Sequence, residues 1–261
     1  MIMMDSKQPV DRTLAEMFPP TARPEAERLA TELRERIVRE HLFPGTRLGS
    51  EQDLIRWSGR SRATVREAFR LLAEQGLMTA RPGPKGGLFV ATPGPDRVAR
   101  SLGILLSFSD VSLGELLQAR MEVESAAVGI AATQRTRADL EGLEQSCLRF
   151  GHLLARQDGE GQVEENLTFH TELVRASHNT VLVVLHAALH HLIRTSTVEP
   201  IYTVAAATEV KQAHERICRA LRDQDRDAAI RRVRRHLAAF EEYLRRSDQY
   251  ELLQRRFRLG D

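Results

Sequence analysis

Arginines recur on one face of a segment that has the pattern of a helix. Arg62, Arg66 and Arg70 are four residues apart, which places them on the same side of a helix at about 100° per residue. The other side carries the apolar residues Val65, Ala68 and Leu72. Arginine suits a DNA groove because its planar guanidinium matches both a phosphate and the edge of a guanine. The segment therefore predicts a recognition helix, although a solvated surface helix can carry the same arginines.

Three histidines in the second half of the chain fall on or beside apolar helical stripes. His170, His214 and His236 belong to three separate amphipathic segments, and Asn166 lies four residues before His170 on the same face. Three inward imidazoles with an oxygen ligand can hold a first-row divalent metal ion inside a helical bundle. The simpler alternative is that each imidazole is a core side chain satisfied by one hydrogen bond.

The elements that must position the arginines form one small module. A first helix ends near Glu40, a capping pattern at Ser50 opens a short second helix, and Ser61 and Gly76 bound the arginine helix. Two short strands, 77–80 and 88–91, then flank a glycine- and proline-rich tip. The fold class that we predict is mostly α: an N-terminal winged helix-turn-helix with a small β-hairpin wing, followed by a C-terminal all-α antiparallel helical bundle.

The domain boundaries follow from the same patterns. We expect a flexible N-terminal arm over 1–24, the winged domain over 25–92, a linker over 93–104, the helical domain over 105–248 and a C-terminal tail over 249–261. Within the helical domain, the periodicity predicts six helices, at 112–134, 137–157, 161–177, 180–197, 206–223 and 226–246.

Charge and composition limit the partners. The net charge is only +2, but residues 56–85 hold seven Lys/Arg and two Asp/Glu, which favours a nucleic-acid partner for the recognition helix and wing. Cys147 and Cys218 show no metal-site spacing and indicate a reducing compartment. Residues 1–21 carry no signal-peptide pattern, and the longest apolar stretch, 181–193, is too short to span a bilayer. We therefore expect a cytoplasmic protein with no membrane partner.

The first module resembles the DNA-binding domain of the GntR family of bacterial transcription regulators. The matching residues are Phe43-Pro44-Gly45, Leu48, Ser50-Glu51, Leu54, Ser61-Arg62, Val65-Arg66-Glu67-Ala68, Leu71, Gly76-Leu77, Arg81-Pro82-Gly83 and Phe89-Val90. The resemblance, together with the arginine face, implies that Arg62 and Arg66 contact bases or adjacent phosphates. Gly83 and Lys85 are then expected near the minor groove, and Ser61, Thr64 and Gln52 near the DNA backbone.

The helical half resembles the FCD effector domain of FadR-type members of that family. The resemblance is carried by Asn166-Leu167-Thr168-Phe169-His170, Ala176-Ser177 and Asn179, by His214 and His236 with Asp225 between them, and by Arg120 with Glu124. It implies a metal site formed by Asn166, His170, His214 and His236, filled by a divalent transition metal ion such as zinc or nickel. Asn166 stands where the family has an acidic ligand, which removes one compensating charge. Arg120 becomes the expected partner of a small carboxylate effector.

The predicted function is a DNA-binding transcription regulator, a repressor as is common in this family, whose operator affinity depends on a small organic acid. A homodimer on a palindromic operator is expected because one short helix reads too few base pairs. Two alternatives stay open: a helical metalloenzyme tethered to DNA, and a regulator for which the metal ion itself is the signal. No general base or nucleophile motif lies near the histidines, so we do not expect an enzyme.

Two further groups of side chains have alternative explanations. His186 and His190 are spaced for chelation, yet their helix is apolar all round, which favours packing. Arg231-Arg232 and Arg234-Arg235 bracket Val233 just before His236, and we interpret them as the solvated side of the last helix.

Overall fold

Two compact units make up the chain, Met1–Gly94 and Pro95–Asp261. The computed structural model describes residues 23–83, 85–196, 202–246 and 250–254. The expected N-terminal arm lies outside the described residues except for its last two positions, where the first helix begins. Of the expected C-terminal tail, the structure describes only a short helix, Tyr250–Gln254.

The N-terminal unit is a winged helix-turn-helix, as predicted. Its elements are α1 (Arg23–Arg39), β1 (Arg47–Gly49), α2 (Glu51–Ser58), α3 (Arg62–Glu74), β2 (Met78–Arg81) and β3 (Gly87–Val90). The wing pairs Met78 with Val90 and Arg81 with Gly87 in an antiparallel register. Strand β1 adds a third strand in the order β1-β3-β2, and the sequence did not predict it because three residues are too few to show alternation.

The helix ends of this unit are held by side chains, as the capping patterns predicted. Ser50 and Asp53 form a reciprocal capping box at the start of α2, and Gly59 ends that helix in the left-handed conformation at φ 66°. The Ser61 hydroxyl accepts the backbone N–H of Thr64 at 3.2 Å, which begins α3. The unit has its own core, which includes Leu29, Leu33, Leu54, Val65, Leu72 and Val90.

The C-terminal unit is an all-α bundle. It consists of α4 (Pro95–Ser107), α5 (Leu113–Gln134), α6 (Arg137–Ala155), α7 (Gly159–Arg175), α8 (Thr180–Ser196), α9 (Val204–Arg222), α10 (Arg226–Arg246) and α11 (Tyr250–Gln254). The six predicted helices correspond to α5–α10 with ends that differ by two residues or fewer. Helix α5 is central, since it packs against α7, α8, α9 and α10.

The structure corrects the prediction of a linker over 93–104. Most of that segment is the first part of helix α4, which begins at Pro95 with Asp96 in its first turn. Proline is favoured at the first helical position because the N–H that it lacks would be unpaired there, and an acidic residue in the first turn complements the helix dipole. The turn signal of Pro93-Gly94-Pro95 therefore marks a helix start. Ala99 is fully buried in a cluster with side chains of α5 and α8.

No helix among the described residues is both long enough and apolar enough to cross a membrane.

Candidate functional site

Three helices of the bundle bring the three predicted histidines together. His170 lies on α7, His214 on α9 and His236 on α10. The Nε2 atom of His236 is 3.1 Å from Nε2 of His170 and 3.2 Å from Nε2 of His214. The three ligand atoms lie within 4.8 Å of one another, and no other group of three or more such side chains is found in the described part of the chain. The imidazoles therefore point at one common centre.

Aromatic side chains hold these imidazoles in place. Phe169 stacks on His214 with ring centroids 3.7 Å apart and planes 7° from parallel. Phe150 meets the same imidazole edge-on at 5.9 Å. Both phenylalanines are fully buried, so the His214 ring has little freedom to turn. The apolar stripes that carry the histidines thus also fix their orientation.

A buried carboxylate lies directly behind the histidines. Glu124 on α5 has no exposed surface and accepts a hydrogen bond from Nε of Arg120 at 2.6 Å. It also lies 2.6 Å from Nδ1 of His170 and 3.2 Å from Nε2 of His186. An ionised carboxylate only accepts hydrogen bonds, so we assign the His170 proton to Nδ1. The Nε2 lone pair of His170 is then directed at the common centre, which is the arrangement that metal-binding histidines use.

The electrostatics keep Glu124 ionised and the histidines neutral. Burial raises the pKa of Glu124, but the charges and hydrogen bonds of Arg120, His170 and His186 outweigh it and leave the pKa well below its ordinary range. Burial lowers the pKa of His170 and His214 and brings that of His236 to about 3. Neutral imidazoles with free lone pairs are the form that binds metal ions.

The donor set fits a divalent transition metal ion. Oδ1 of Asn166 is buried and has no hydrogen-bond partner among the described residues, and the same holds for Nδ1 of His214. A buried acceptor without a partner costs free energy, and a bound cation would satisfy the amide oxygen. The Nε2 separations of 3.1 and 3.2 Å are near the roughly 3 Å between two nitrogen ligands of one ion. Three imidazoles and one amide oxygen could therefore hold the ion.

A cavity of about 540 Å³ opens beside the histidines. Arg120, Asn166, His170 and His236 line it, together with apolar side chains such as Leu167, Val210 and Phe240. A volume of this size suits a small organic molecule. A ligand in this cavity would lie next to the common centre.

The alternative histidine pair is not part of this centre. His186 is buried and directed at Glu124, while His190 stacks on His186 with ring centroids 5.7 Å apart. Burial lowers the pKa of His190 to about 3. The pair packs behind the carboxylate, in line with the interpretation from its apolar helix.

The arginines of the recognition helix are exposed. The side chains of Arg62 and Arg66 are 67% and 71% exposed, with Glu51 carboxylate oxygens at 3.4 and 3.8 Å. Arg70 is instead bound to Glu67 and Glu74 of its own helix. Ser61, Gln52, Gly83 and Lys85 are exposed as well. Arg62 and Arg66 therefore lie on the accessible face of α3, and each forms only a long, exposed ion pair with Glu51.

The structure corrects the prediction that Thr64 lies near the DNA backbone. It is 5% exposed, and its hydroxyl lies 2.8 Å from that of Ser61. Residues four apart share a helix face, so Thr64 is aligned with the buried Ala68 and Leu72 rather than with the arginines. Its hydroxyl helps to close the start of α3 and is not placed for contact with a ligand.

Comparison with known protein families identifies both units. A model of the bacterial regulatory proteins of the gntR family matches residues 25–90, and a model of the FCD domain matches residues 115–239. The chain belongs to the GntR family. The transcriptional regulator LutR of Bacillus subtilis is 29% identical over 213 residues, which are 80% of this chain and 95% of LutR. The putative L-lactate dehydrogenase operon regulatory protein of Escherichia coli is 25% identical over 237 residues, 86% and 88% of the two chains.

A solved structure shows the same fold. The GntR protein of Streptococcus agalactiae is 21% identical, superposes with a TM-score of 0.62, and covers 82% of this chain and 98% of its own. The matched families and relatives are transcription regulators and not enzymes. This GntR-family chain is accordingly a transcription regulator with an FCD effector-binding domain.

Sequence reasoning missed two features of this GntR-family site. The spacing of four residues was enough to pair Arg120 with Glu124. It could not predict the contacts of Glu124 with His170 and His186, which lie on two other helices. Arg235 is exposed and Arg232 half-buried, in line with the predicted solvated side of the last helix, but the sequence does not show that both line the cavity together with Arg216 of α9. The i, i+4 spacing of Arg232 and His236 is the one sequence signal that could have placed an arginine beside the histidines.

Proposed function

We propose that this regulator is a repressor that binds a palindromic operator as a homodimer and releases it in response to a small organic acid. The acid binds in the helical domain beside a divalent transition metal ion, zinc or nickel. One observation carries the proposal: three neutral imidazoles converge on one centre, and two of them line a cavity of about 540 Å³ together with Asn166, whose amide oxygen is buried without a partner among the described residues. The regulator works in the cytoplasm, where operator DNA is accessible.

The metal ion would be held by His170, His214 and His236 with Asn166. When bound, it supplies a positive charge that attracts a carboxylate. Glu124 orients His170 through Nδ1, and such a carboxylate behind a ligating imidazole strengthens it as a ligand. Asn166 contributes no charge, so the site keeps more net positive charge than one with an acidic ligand.

Arg120 is the proposed partner of the acid. Its Nε donates to Glu124, while the guanidinium also lines the cavity. A guanidinium carries five N–H groups, so the remaining ones can donate to a carboxylate. The buried Glu124 meanwhile holds the guanidinium in position, which lowers the entropic cost of binding.

The DNA interface consists of α3 and the wing. Arg62 and Arg66 are proposed to contact bases or adjacent phosphates in the major groove, with Ser61 and Gln52 near the backbone. Gly83 and Lys85 at the wing tip are proposed to approach the minor groove. The acid controls operator affinity because its binding favours one arrangement of the two DNA-binding domains of the dimer over another, which couples the two sites.

Replacement of one metal ligand tests this function. His214→Ala should remove the metal ion, lower the melting temperature of the helical domain and abolish the response to acid, while operator binding without acid survives. Metal content is measured by elemental mass spectrometry, and operator affinity by fluorescence anisotropy in the presence and absence of a panel of 2-hydroxy acids. His152→Ala is the matched control, because His152 is exposed on α6 and lies outside the site.

The outcomes separate the candidate functions. Stoichiometric metal and a normal acid response in His214→Ala would contradict the three-histidine site. Operator release on addition of zinc or nickel alone would identify the metal ion itself as the signal. Asn166→Asp provides a further check, since a negative ligand should tighten binding of zinc relative to the unmodified protein.

A further inference from the structure

A second group of cations lines the effector cavity, apart from the histidines and Arg120. It consists of Arg216 on α9 and Arg232 and Arg235 on α10, which we call the arginine cluster. Arg232 donates to the backbone carbonyl of Arg216, so that two members of the cluster are in contact. Arg232 is four residues before His236 on α10, and both line the cavity, which places the cluster close to the metal ligands.

The arginine cluster has no carboxylate partner within ion-pair distance among the described residues. Neighbouring arginines on the same two helices do have one: Arg222 of α9 is 2.6 Å from Glu144, and Arg234 of α10 is 2.6 Å from Glu122. Of the acidic residues, Glu209 alone is among those lining the cavity in the described part of the chain. The cavity wall therefore carries an excess of positive charge.

These like charges repel one another in the absence of a ligand. Water screens part of that repulsion, because Arg216 and Arg235 are exposed and Arg232 is half-buried. A bound anion reverses the sign of that contribution, and guanidinium groups bind carboxylates with paired hydrogen bonds. The cluster is thus suited to a second anionic group, beyond the one that the metal ion and Arg120 would take.

We infer that the effector is a short dicarboxylate. One carboxylate binds at the metal centre and Arg120, and the other binds at the arginine cluster. Apolar side chains of the same cavity, Leu167, Val210, Leu237 and Phe240, cover the carbon chain between them. This inference rests on the proposed function, because it assumes that the cavity binds an acid, and it adds that the acid carries two negative groups.

A pair of acids that differ in one group tests the inference. Malate and 2-hydroxybutyrate have the same four-carbon 2-hydroxy acid end, but malate carries a carboxylate where 2-hydroxybutyrate carries a methyl group. Isothermal titration of zinc-loaded protein should show malate binding about tenfold more tightly, or better, because a second charge-assisted contact contributes. In the double variant R232Q/R235Q most of that preference should disappear, because the affinity for malate falls much more than the affinity for 2-hydroxybutyrate.

The control is Arg231→Gln, which removes an exposed arginine from α10 that does not line the cavity. It should keep the full preference for malate. Equal affinity for the two acids in the unmodified protein would overturn the inference and leave the proposed function standing. The same holds if the double variant keeps the preference, since chelation by the metal ion alone would then explain it. Failure of malate to bind the zinc-loaded protein would overturn this inference, and failure of every acid in the panel of 2-hydroxy acids would overturn the proposed function with it.

Discussion

The winged domain and the helical domain both depend on charged side chains, which are exposed to solvent on the recognition helix of the winged domain and buried beside the histidines of the helical domain. Arg62 and Arg66 of the winged domain are mostly exposed, whereas Arg120 and Glu124 of the helical domain are 8% and 0% exposed. Exposed pairs add little to stability, while a buried pair has lost its hydration and depends on its partner. Charges of the winged domain are therefore available to a ligand at small structural cost. In the helical domain, the groups that would bind the ligand also hold the fold.

The largest expected effect comes from removing one arginine from each domain. Arg120→Met should lower the free energy of unfolding of the helical domain by about 3–5 kcal/mol, because it leaves Glu124 as a buried carboxylate with reduced compensation. Arg60→Met removes a partly exposed arginine that bridges Glu25 and Glu32 of the winged domain, and should cost about 1 kcal/mol or less. Hydrogen exchange in increasing urea reports the two domains separately. Equal losses of stability in the two variants would contradict the difference that we expect between a buried and a surface ion pair.

The two domains should also respond differently to pH. In the metal-free protein, His190 and His236 have folded-state pKa values of about 3, below the unfolded value of about 6.5. The unfolded chain therefore takes up protons first as the pH falls, and stability that is present above pH 6.5 is lost below it. Between pH 7.5 and 5.5 the loss is about 1.4 kcal/mol for each such imidazole, or roughly 3 kcal/mol for the two.

In the winged domain, the pKa of Asp53 is also lowered, but it affects stability only at a much lower pH. Hydrogen bonds from the backbone and side chain of Ser50, and then from Arg56, lower the pKa of Asp53 to about 2. A lowered carboxyl pKa contributes stability above the unfolded value, which is lost only as the pH falls below about 4. Thermal unfolding should thus show a lower melting temperature of the helical domain at pH 5.5 than at pH 7.5. The contribution of Asp53 to the stability of the winged domain should be the same at both pH values. An unchanged melting temperature of the helical domain would contradict the assignment of neutral, buried imidazoles.

Base reading by the recognition helix gives a smaller effect. Arg66→Ala should weaken binding to the true operator by about 1–3 kcal/mol and weaken binding to random DNA less, as measured by fluorescence anisotropy. Arg70→Ala is the matched control on the same helix, because Arg70 is held by Glu67 and Glu74. A loss of the same size on both DNAs would mean that Arg66 contacts only phosphate.

The smallest expected effect concerns the wing tip. Lys85→Ala should weaken binding to every DNA sequence and reduce the slope of log affinity against log salt by about one. Lys211→Ala, which removes a lysine from the helical domain, should leave the slope unchanged. A normal slope in Lys85→Ala would place the wing tip away from the DNA.

Local patterns were enough to predict most of the fold. The apolar period gave the six helices α5–α10, and the capping residues Ser50 and Ser61 gave the starts of α2 and α3. Both depend on interactions within a few residues of each other, which the order of residues records directly. Strand β1 and helix α4 were missed, because a three-residue strand has no detectable alternation and the Pro93-Gly94-Pro95 turn hid a helix start.

The sequence alone determined the helices that carry the candidate site residues and, for the histidines, the face of each helix on which they lie. His170, His214 and His236 were assigned to three interior stripes, and they meet within 4.8 Å. Tertiary structure decided their convergence on one centre, the contacts of Glu124 with His170 and His186 on two other helices, and the place of the arginine cluster in the cavity wall. The physical reason is that helical periodicity specifies the direction of a side chain about its own axis. The rotation and spacing of one helix relative to another come from the packing of side chains distant in sequence.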